Sequence, residues 1–412
     1  MVRFASIFSQ LLSLVSRNCF QSLVRKHQGE YAAKGFSCWS QFTSMLFCQL
    51  AQAKSLREIS YGLRCCLGKL VHLGIRNAPT KSTLSYANAH RPWRMYEDLF
   101  YVMLGQAQQV APKKKFRFRN KLLTLDSTVI DLCLAMFPWA KFRRKKGAIK
   151  LHMLLDHDGY LPTFVHITEG KTHDVTVARR LDLPEDSIVA MDMAYNDYAL
   201  FASWTKKGVW FVTRMKDNAL YRVILSLKPP ENRNIVSDEI IALTSEAGIK
   251  KGPYPLRRIV VWDEEHQREI VLLTNHTEFG ATTIAAIYKE RWQIELFFKA
   301  IKQNLKIKTF VGTTENALKI QIWTALIAML LFKMLQFRSR RSWSLSNLVA
   351  LVRWNLFTYR DLWEWIDDPF DTPPLAPEHE QLQLPIPRSG QHKRFKPDNL
   401  VRESVKSVQK RQ

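Results

Sequence analysis

Tyr288, Arg291, Glu295 and Lys302 lie in the stretch IYKERWQIELFFKAIKQNL with the spacing Y-x2-R-x3-E-x6-K. At about 100° per residue, offsets of 3, 7 and 14 from Tyr288 fall within an arc of about 60° on an α-helix. Ile294, Phe297, Phe298, Ile301 and Leu305 fill the neighbouring stripe, the core-facing side of a half-buried helix. One carboxylate flanked by an arginine, a lysine and a phenol makes a poor core. It suits a phosphodiester held beside a metal ion. The planar fork of Arg291 can pin a phosphate and Lys302 can neutralise another as a point charge. Tyr288 offers a hydroxyl and a ring on which a displaced base could stack. The plainer alternative is a surface helix with an i,i+4 Arg291–Glu295 pair, worth roughly a few tenths of a kcal/mol.

Phosphoryl transfer is mostly a problem of charge. Two divalent ions about 3.5–4 Å apart can activate the attacking oxygen and stabilise the leaving one, and holding them takes carboxylates from separate elements. Two aspartates end apolar runs upstream: Asp126 closes LLTLD and Asp192 closes SIVAMD. A lone aspartate at such a place is usually a cap, but two of them followed by Glu295 in order make a three-carboxylate set. Asp126, Asp192 and Glu295 are therefore the candidate catalytic and metal-holding residues. Asp131 has the opposite strand parity to Asp126 and faces away, Asp156 and Asp158 belong to a turn, and Glu290 lies outside the helical arc. Lys150 and His152 alternate with apolar neighbours along a strand and either reach the same side or serve structure. Asp174 either joins them or caps the helix DVTVARRL.

Together these residues resemble the insertion-sequence transposases of the IS-four type, a branch of the DDE transposases. The Tyr288–Arg291–Glu295–Lys302 quartet matches that family's YREK signature. LDSTVIDL matches its first-aspartate motif on Asp126, and AMDMAY its second on Asp192, with Tyr195 at the aromatic position. Ala194 stands where many members have glycine, so the backbone there cannot use a glycine-only conformation. The segments FRRKKGAIKLHMLLDHDGYLP and TEGKTHD also look like the family's core. The resemblance implies an RNase-H-like catalytic fold, with Glu295 as third metal-binding carboxylate and Tyr288, Arg291 and Lys302 on the DNA end. It implies Mg²⁺, with Mn²⁺ able to substitute, and double-stranded DNA as partner, both terminal inverted repeats and target. The implied activity is cut-and-paste transposition by strand cleavage and strand transfer, with second-strand release through a DNA hairpin and a homodimer on paired ends. Trp262 would then wedge or stack a displaced base, or else pack in the core. The alternatives are a catalytically inactive DNA-binding repressor or domesticated transposase, and a structure-selective nuclease.

The elements that must position these residues follow from pattern and composition. The chain has 412 residues, a net charge of +24 and a pI near 9.8, which calls for a polyanionic partner such as DNA. Residues 1–118 form an all-helical DNA-binding domain, since the runs are amphipathic with no period-two alternation. Within it SLREISYGL, the break LGIRNAP and TKSTLSYANAH suggest helix, turn and helix, the second capped by Thr80 or Ser82 and broken at Arg91-Pro92. The basic run APKKKFRFRNK, interleaved with Phe116 and Phe118, suits a DNA-contacting linker. Residues 119–340 form an α/β core, an RNase-H-like mixed sheet with flanking helices. A hairpin turns at Asp158-Gly159, the helix NDYALFASWTKKG closes near Gly208, and a β-rich insertion occupies about 217–280. Residues 341–412 hold a helical segment, the linker PFDTPPLAPEHEQ and a basic tail from Ser389.

IQIWTALIAMLLFKMLQF (320–337) is apolar enough to span a membrane, yet it carries Gln321, Thr324, Lys333 and Gln336 and reads as a buried core helix. No signal peptide is visible in MVRFASIFSQLLSLVSRNCF. All six cysteines precede residue 134 without a C-x2-C pair, as in a reduced protein without a zinc site. The expected place of work is the bacterial cytoplasm, at the nucleoid, with no membrane partner.

Overall fold

The computed structural model describes residues 5–372 apart from 32, 67, 114, 115, 117, 144, 145, 232 and 308, and only the backbone of 141–143 and 146. The basic tail, most of the linker before it, and Lys114, Lys115 and Arg117 of the basic run lie outside the described residues. Six helices come first: α1 (Ile7–Ser13), α2 (Arg17–Lys26), α3 (Cys38–Ala51), α4 (Leu56–Arg64), α5 (Lys81–His90) and α6 (Arg94–Val110). Serine or threonine side chains cap the first five, as Thr80 does for α5 by accepting from the Thr83 N–H at 3.1 Å. Helix α5 stops at His90, where Arg91 turns extended ahead of Pro92. The break between α4 and α5 is longer than LGIRNAP alone, since it also contains a 3₁₀ turn over Leu70–Leu73.

The strands are β1 (Leu122–Leu132), β2 (Lys141–Arg143), β3 (Lys146–Asp156), β4 (Leu161–Glu169), β5 (Ile188–Met191), β6 (Trp210–Arg214), β7 (Tyr221–Leu227), β8 (Ile235–Leu243), β9 (Leu256–Asp263) and β10 (Arg268–Thr274). They form one sheet with β3 at one end pairing both β2 and β4, followed by β1-β5-β6-β10-β9-β8-β7. Only β1–β5 and β5–β6 pair in parallel. β5 is buried along its whole length, which explains why IVAM is a continuous apolar run. The strands of the expected β-rich insertion do not form a separate layer. β10 pairs antiparallel with β6, so β7–β10 prolong the same sheet.

The remaining helices are α7 (Asp174–Ala178), α8 (Tyr198–Lys206), α9 (Glu246–Lys251), α10 (Ala281–Glu290), α11 (Trp292–Asn304), α12 (Glu315–Arg338), α13 (Leu345–Trp354) and α14 (Leu362–Asp367). Ala281, Ile284 and Ile287 of α10 pack on one sheet face with Leu122, Ile188, Ala190 and Val212. Leu200, Phe201 and Trp204 of α8 pack on the other with Leu123, Leu125, Val189 and Met191. Phe118 and Phe116 stack on each other at 5.0 Å and pack toward α10 and Phe279, so the phenylalanines of the basic run help cover the core.

Before α10 the chain is pinned by a buried pair. Arg257 donates to both Asp238 oxygens at 2.8 and 2.7 Å and to the carbonyls of Thr277 and Phe279. Helix α12 is long and apolar enough to cross a membrane, but 89% of its apolar window is buried within the fold. It packs against α3, α5 and α6, as expected of a core helix.

Candidate active site

Strand register puts the two aspartates side by side. Leu125 of β1 pairs with Met191 of β5 in parallel, so Asp126 and Asp192 occupy the next rung and share one sheet face. Each carboxylate accepts from the following backbone N–H, Asp126 from Ser127 and Asp192 from Met193, both at 2.7 Å. Asp192 ends its strand as expected and caps the 3₁₀ turn Met193–Tyr195. Asp126 does not: β1 continues to Leu132 through antiparallel pairing with β3, so Asp126 sits within a strand and is not a cap.

The quartet is divided between two helices. Tyr288 lies on α10, and Glu295 and Lys302 lie on α11, with Arg291 at the joint. There the backbone tightens: Arg291 N–H bonds the Tyr288 carbonyl and Ile294 N–H the Arg291 carbonyl, three residues back instead of four. Helical φ and ψ persist at Arg291, so the four side chains still address one side. Arg291 is the centre of the arrangement. One guanidinium nitrogen lies 2.7 Å from a Glu295 oxygen and another 3.5 Å from Asp126.

Burial pushes the Asp126 carboxyl up to about 7; its Ser127 N–H bond and Arg291 oppose this, while Asp192 and Glu295 add to it. Asp126 therefore lies within electrostatic reach of both other carboxylates. Lys302 donates to Thr128 Oγ1 at 2.5 Å and to the Val129 carbonyl at 3.0 Å, which docks it on β1 two residues beyond Asp126. Asp126, Thr128, Glu295 and Lys302 line an open cleft of ≈460 Å³. Tyr288 is half-buried with the Arg291 guanidinium 5.7 Å from its ring centre, and burial raises its hydroxyl pKa. Tyr288 and Arg291 line a second groove, ≈780 Å³, with Trp262 and Trp292. Trp262 is thus half-exposed beside the site instead of packed in the insertion's core.

One neighbour escaped the sequence, and one group left open there is placed by the structure. Ala190 pairs with Val212, so Arg214 at the end of β6 takes the rung beside Asp192. It faces Tyr288, whose hydroxyl it helps pull down against burial. The signal was present in VWFVTR, a third strand ending in a charge, but only register relates it to the aspartates. Behind β1, on the face opposite Asp126, Asp174 accepts from Ser127 Oγ at 2.6 Å and Lys150 at 3.2 Å, with His152 Nδ1 at 3.3 Å. Against the opposing effect of burial, these partners hold its carboxyl well below the usual range. Lys150, His152 and Asp174 therefore brace the strand from behind, and His173, not Asp174, is the cap residue of α7. Asp156 ends β3 buried, 2.8 Å from Lys121, and is no turn residue. Among the described residues no group of three or more His, Cys, Asp or Glu side chains stands close enough to hold a metal ion. Arg291 now links Asp126 to Glu295.

Comparison with known proteins places the chain in a family. The family described as "Transposase DDE domain" matches residues 118–331, more than half of the chain, and a domain of unknown function (DUF4372) matches residues 4–76. A Sinorhizobium fredii protein named transposase y4zB is 31% identical over 319 residues, 76% of this chain and 85% of that one. A Geobacillus stearothermophilus protein named for transposition of insertion sequence element IS5377 is 29% identical over 66% of this chain and 72% of its own. A solved piggyBac transposase synaptic complex with hairpin DNA aligns with 89% of this chain and 81% of its own at a TM-score of 0.42 and 11% identity, too distant to carry weight.

Proposed function

The chain belongs to the family of transposase DDE domains, and from that premise we propose that it is a cut-and-paste transposase of the IS-four type, with Asp126, Asp192 and Glu295 as its catalytic carboxylates. It is a DNA transposase, an enzyme of DNA strand cleavage and strand transfer. The observation that carries the finer reading is how the three carboxylates are related: two on one rung of neighbouring strands, the third tied to the first by Arg291. The core order β4-β3-β1-β5-β6, antiparallel where β3 meets its neighbours and parallel elsewhere, supports an RNase-H-like core.

The donor set suits hard divalent cations such as Mg²⁺ or Mn²⁺, because all three groups are carboxylates, and Asp126 is buried beside two further negative groups. When bound, such ions activate the attacking oxygen and stabilise the leaving one. Asp126, Asp192 and Glu295 would hold them. Arg291 would exchange Asp126 for a phosphate of the DNA end, and Lys302 would take the next phosphate from its place on β1. Tyr288 and Trp262 border one groove, so a base pulled from the end can stack there, which suits the hairpin route. Ends are cut in pairs, so the working form is a homodimer on two terminal inverted repeats, assembled at the nucleoid.

The test is to incubate the protein with Mg²⁺ and duplexes taken from the DNA flanking its coding region. Nicking at the element's boundary, followed by joining of the freed 3′ end to a target, is the expected outcome. Asp192→Asn and Glu295→Gln should lower cleavage at least about a hundredfold with DNA binding retained. Undiminished cleavage by either variant would refute the site.

A further inference from the structure

The region between α4 and α5 is far from the carboxylates in sequence, and its own charge is lopsided. Residues 54–90 hold six Lys or Arg (Lys54, Arg57, Arg64, Lys69, Arg76, Lys81) against one acid, Glu58. That acid caps its own helix: it accepts from the Lys54 backbone N–H at 2.8 Å while Ser55 accepts from the Glu58 N–H at 3.2 Å, a reciprocal cap. Six cations against this one carboxylate leave the region strongly basic. Arg57, Arg64, Arg76 and Lys81 are exposed, join no ion pair among the described residues, and line one groove of ≈690 Å³ between α4 and the start of α5.

The surface next to this groove is built for more than phosphate. Leu84, Ala87 and Asn88 turn α5 into the helical core, which leaves Lys81, Ser82, Ser85, Tyr86 and His90 facing outward. Tyr86 is 68% exposed and stacks on His90 at 4.1 Å, so its ring is held out from the surface instead of folding back. Tyr61, 60% exposed, stands in the groove wall. An outward helix face of hydroxyls and one rigid ring, free of acids and flanked by three arginines, matches the division of labour in duplex recognition. Cations fix position on the phosphates and short polar side chains meet base edges in the major groove.

We infer that the α4–α5 groove is the duplex-DNA docking surface of this protein, with Arg57, Arg64 and Arg76 on the phosphates and the Ser82–Ser85–Tyr86 face of α5 reading the major groove. The inference rests on the proposed transposase reading, in which it supplies recognition of the element's ends. A solvated charge cluster would bind any polyanion equally, which gives the test its second arm.

Two variants of the full chain separate these possibilities: Arg57→Gln/Arg64→Gln/Arg76→Gln and Ser85→Ala/Tyr86→Ala. Both change exposed side chains, and equal unfolding temperatures confirm that the fold is kept. Binding is measured across a salt series on a duplex from the DNA flanking the coding region and on a shuffled duplex of equal length. The triple variant should bind both at least about tenfold more weakly, with a log–log salt slope shallower by about 3, roughly one for each phosphate no longer neutralised. The double variant should keep its salt slope and lose most of the preference for the flanking duplex. Wild-type affinity and slope in the triple variant would overturn the groove, and full preference in the double variant would overturn the reading role of α5. Joining of a pre-cut end at saturating DNA should survive in both variants. Its absence in the unmodified protein as well would count against the transposase reading and leave the binding result standing.

Discussion

Asp126 concentrates the electrostatic conflict of the site. Its pKa of about 7, set first by burial and then by Asp192 and Glu295 against Arg291, means that the folded protein keeps a proton which the unfolded chain has released. The folded pKa lies above the unfolded value of about 3.9, so the native state binds more protons between the two. Without metal, the contribution of Asp126 to stability should be fully present near pH 4 and decline as pH rises to about 7, then level off. Unfolding temperature in EDTA against pH checks this, and Asp126→Asn should flatten that slope; an unchanged slope in the variant would place the proton elsewhere. At this scale the sequence was informative. Asp126, Asp192 and Glu295 announced themselves because each occupies a patterned position in an apolar run or helical arc. Arg214 did not, because only strand register carries it to the aspartates, and register is a property of two segments together; for Asp174 the sequence left open a place beside Lys150 or a helix cap.

The elements explain why those side chains hold their places. β1 runs past Asp126 because β3 pairs with it to Leu132, and Asp174 behind the sheet holds Ser127, the residue whose N–H fixes Asp126. The α10–α11 joint was read as one helix because helical periodicity does not reveal a local tightening at Arg291. The loop after α11 depends on Gln321 of α12. Fully buried, it donates to the carbonyls of Lys306 and Thr309 at 2.6 and 2.8 Å and accepts from the Val311 N–H at 2.9 Å. Gln321→Leu would remove the partner of three part-buried backbone groups and should cost roughly 1–3 kcal/mol, measurable as a lower denaturation midpoint. A cost below about half a kcal/mol would show that the loop finds other partners. The same residue answers the membrane alternative, since a lipid-facing helix would not bury an amide against a loop.

Across the whole molecule, residues distant in the chain are brought together twice. The start and the described end of the chain close on each other: Ile7 and Phe8 N–H bond the Thr358 and Leu356 carbonyls, and Gln10 bonds Arg360 and Leu362. Composition could not show this, because the helical segments at both ends are amphipathic in the same way. Likewise, an apolar β-rich stretch was legible, but not its union with the central sheet, since edge pairing leaves little trace in a single strand. The second meeting is that of Asp126 and Asp192 on neighbouring strands with Glu295, reached through Arg291, on which the proposed site depends. It can be tested directly by replacing Mg²⁺ with Fe²⁺ and adding peroxide, so that radicals formed at the bound ion cut the nearby polypeptide. The account predicts fragments ending close to all three positions, suppressed by excess Mg²⁺ and lost in Asp192→Asn. Cuts clustered elsewhere, or at only one of the three, would contradict it.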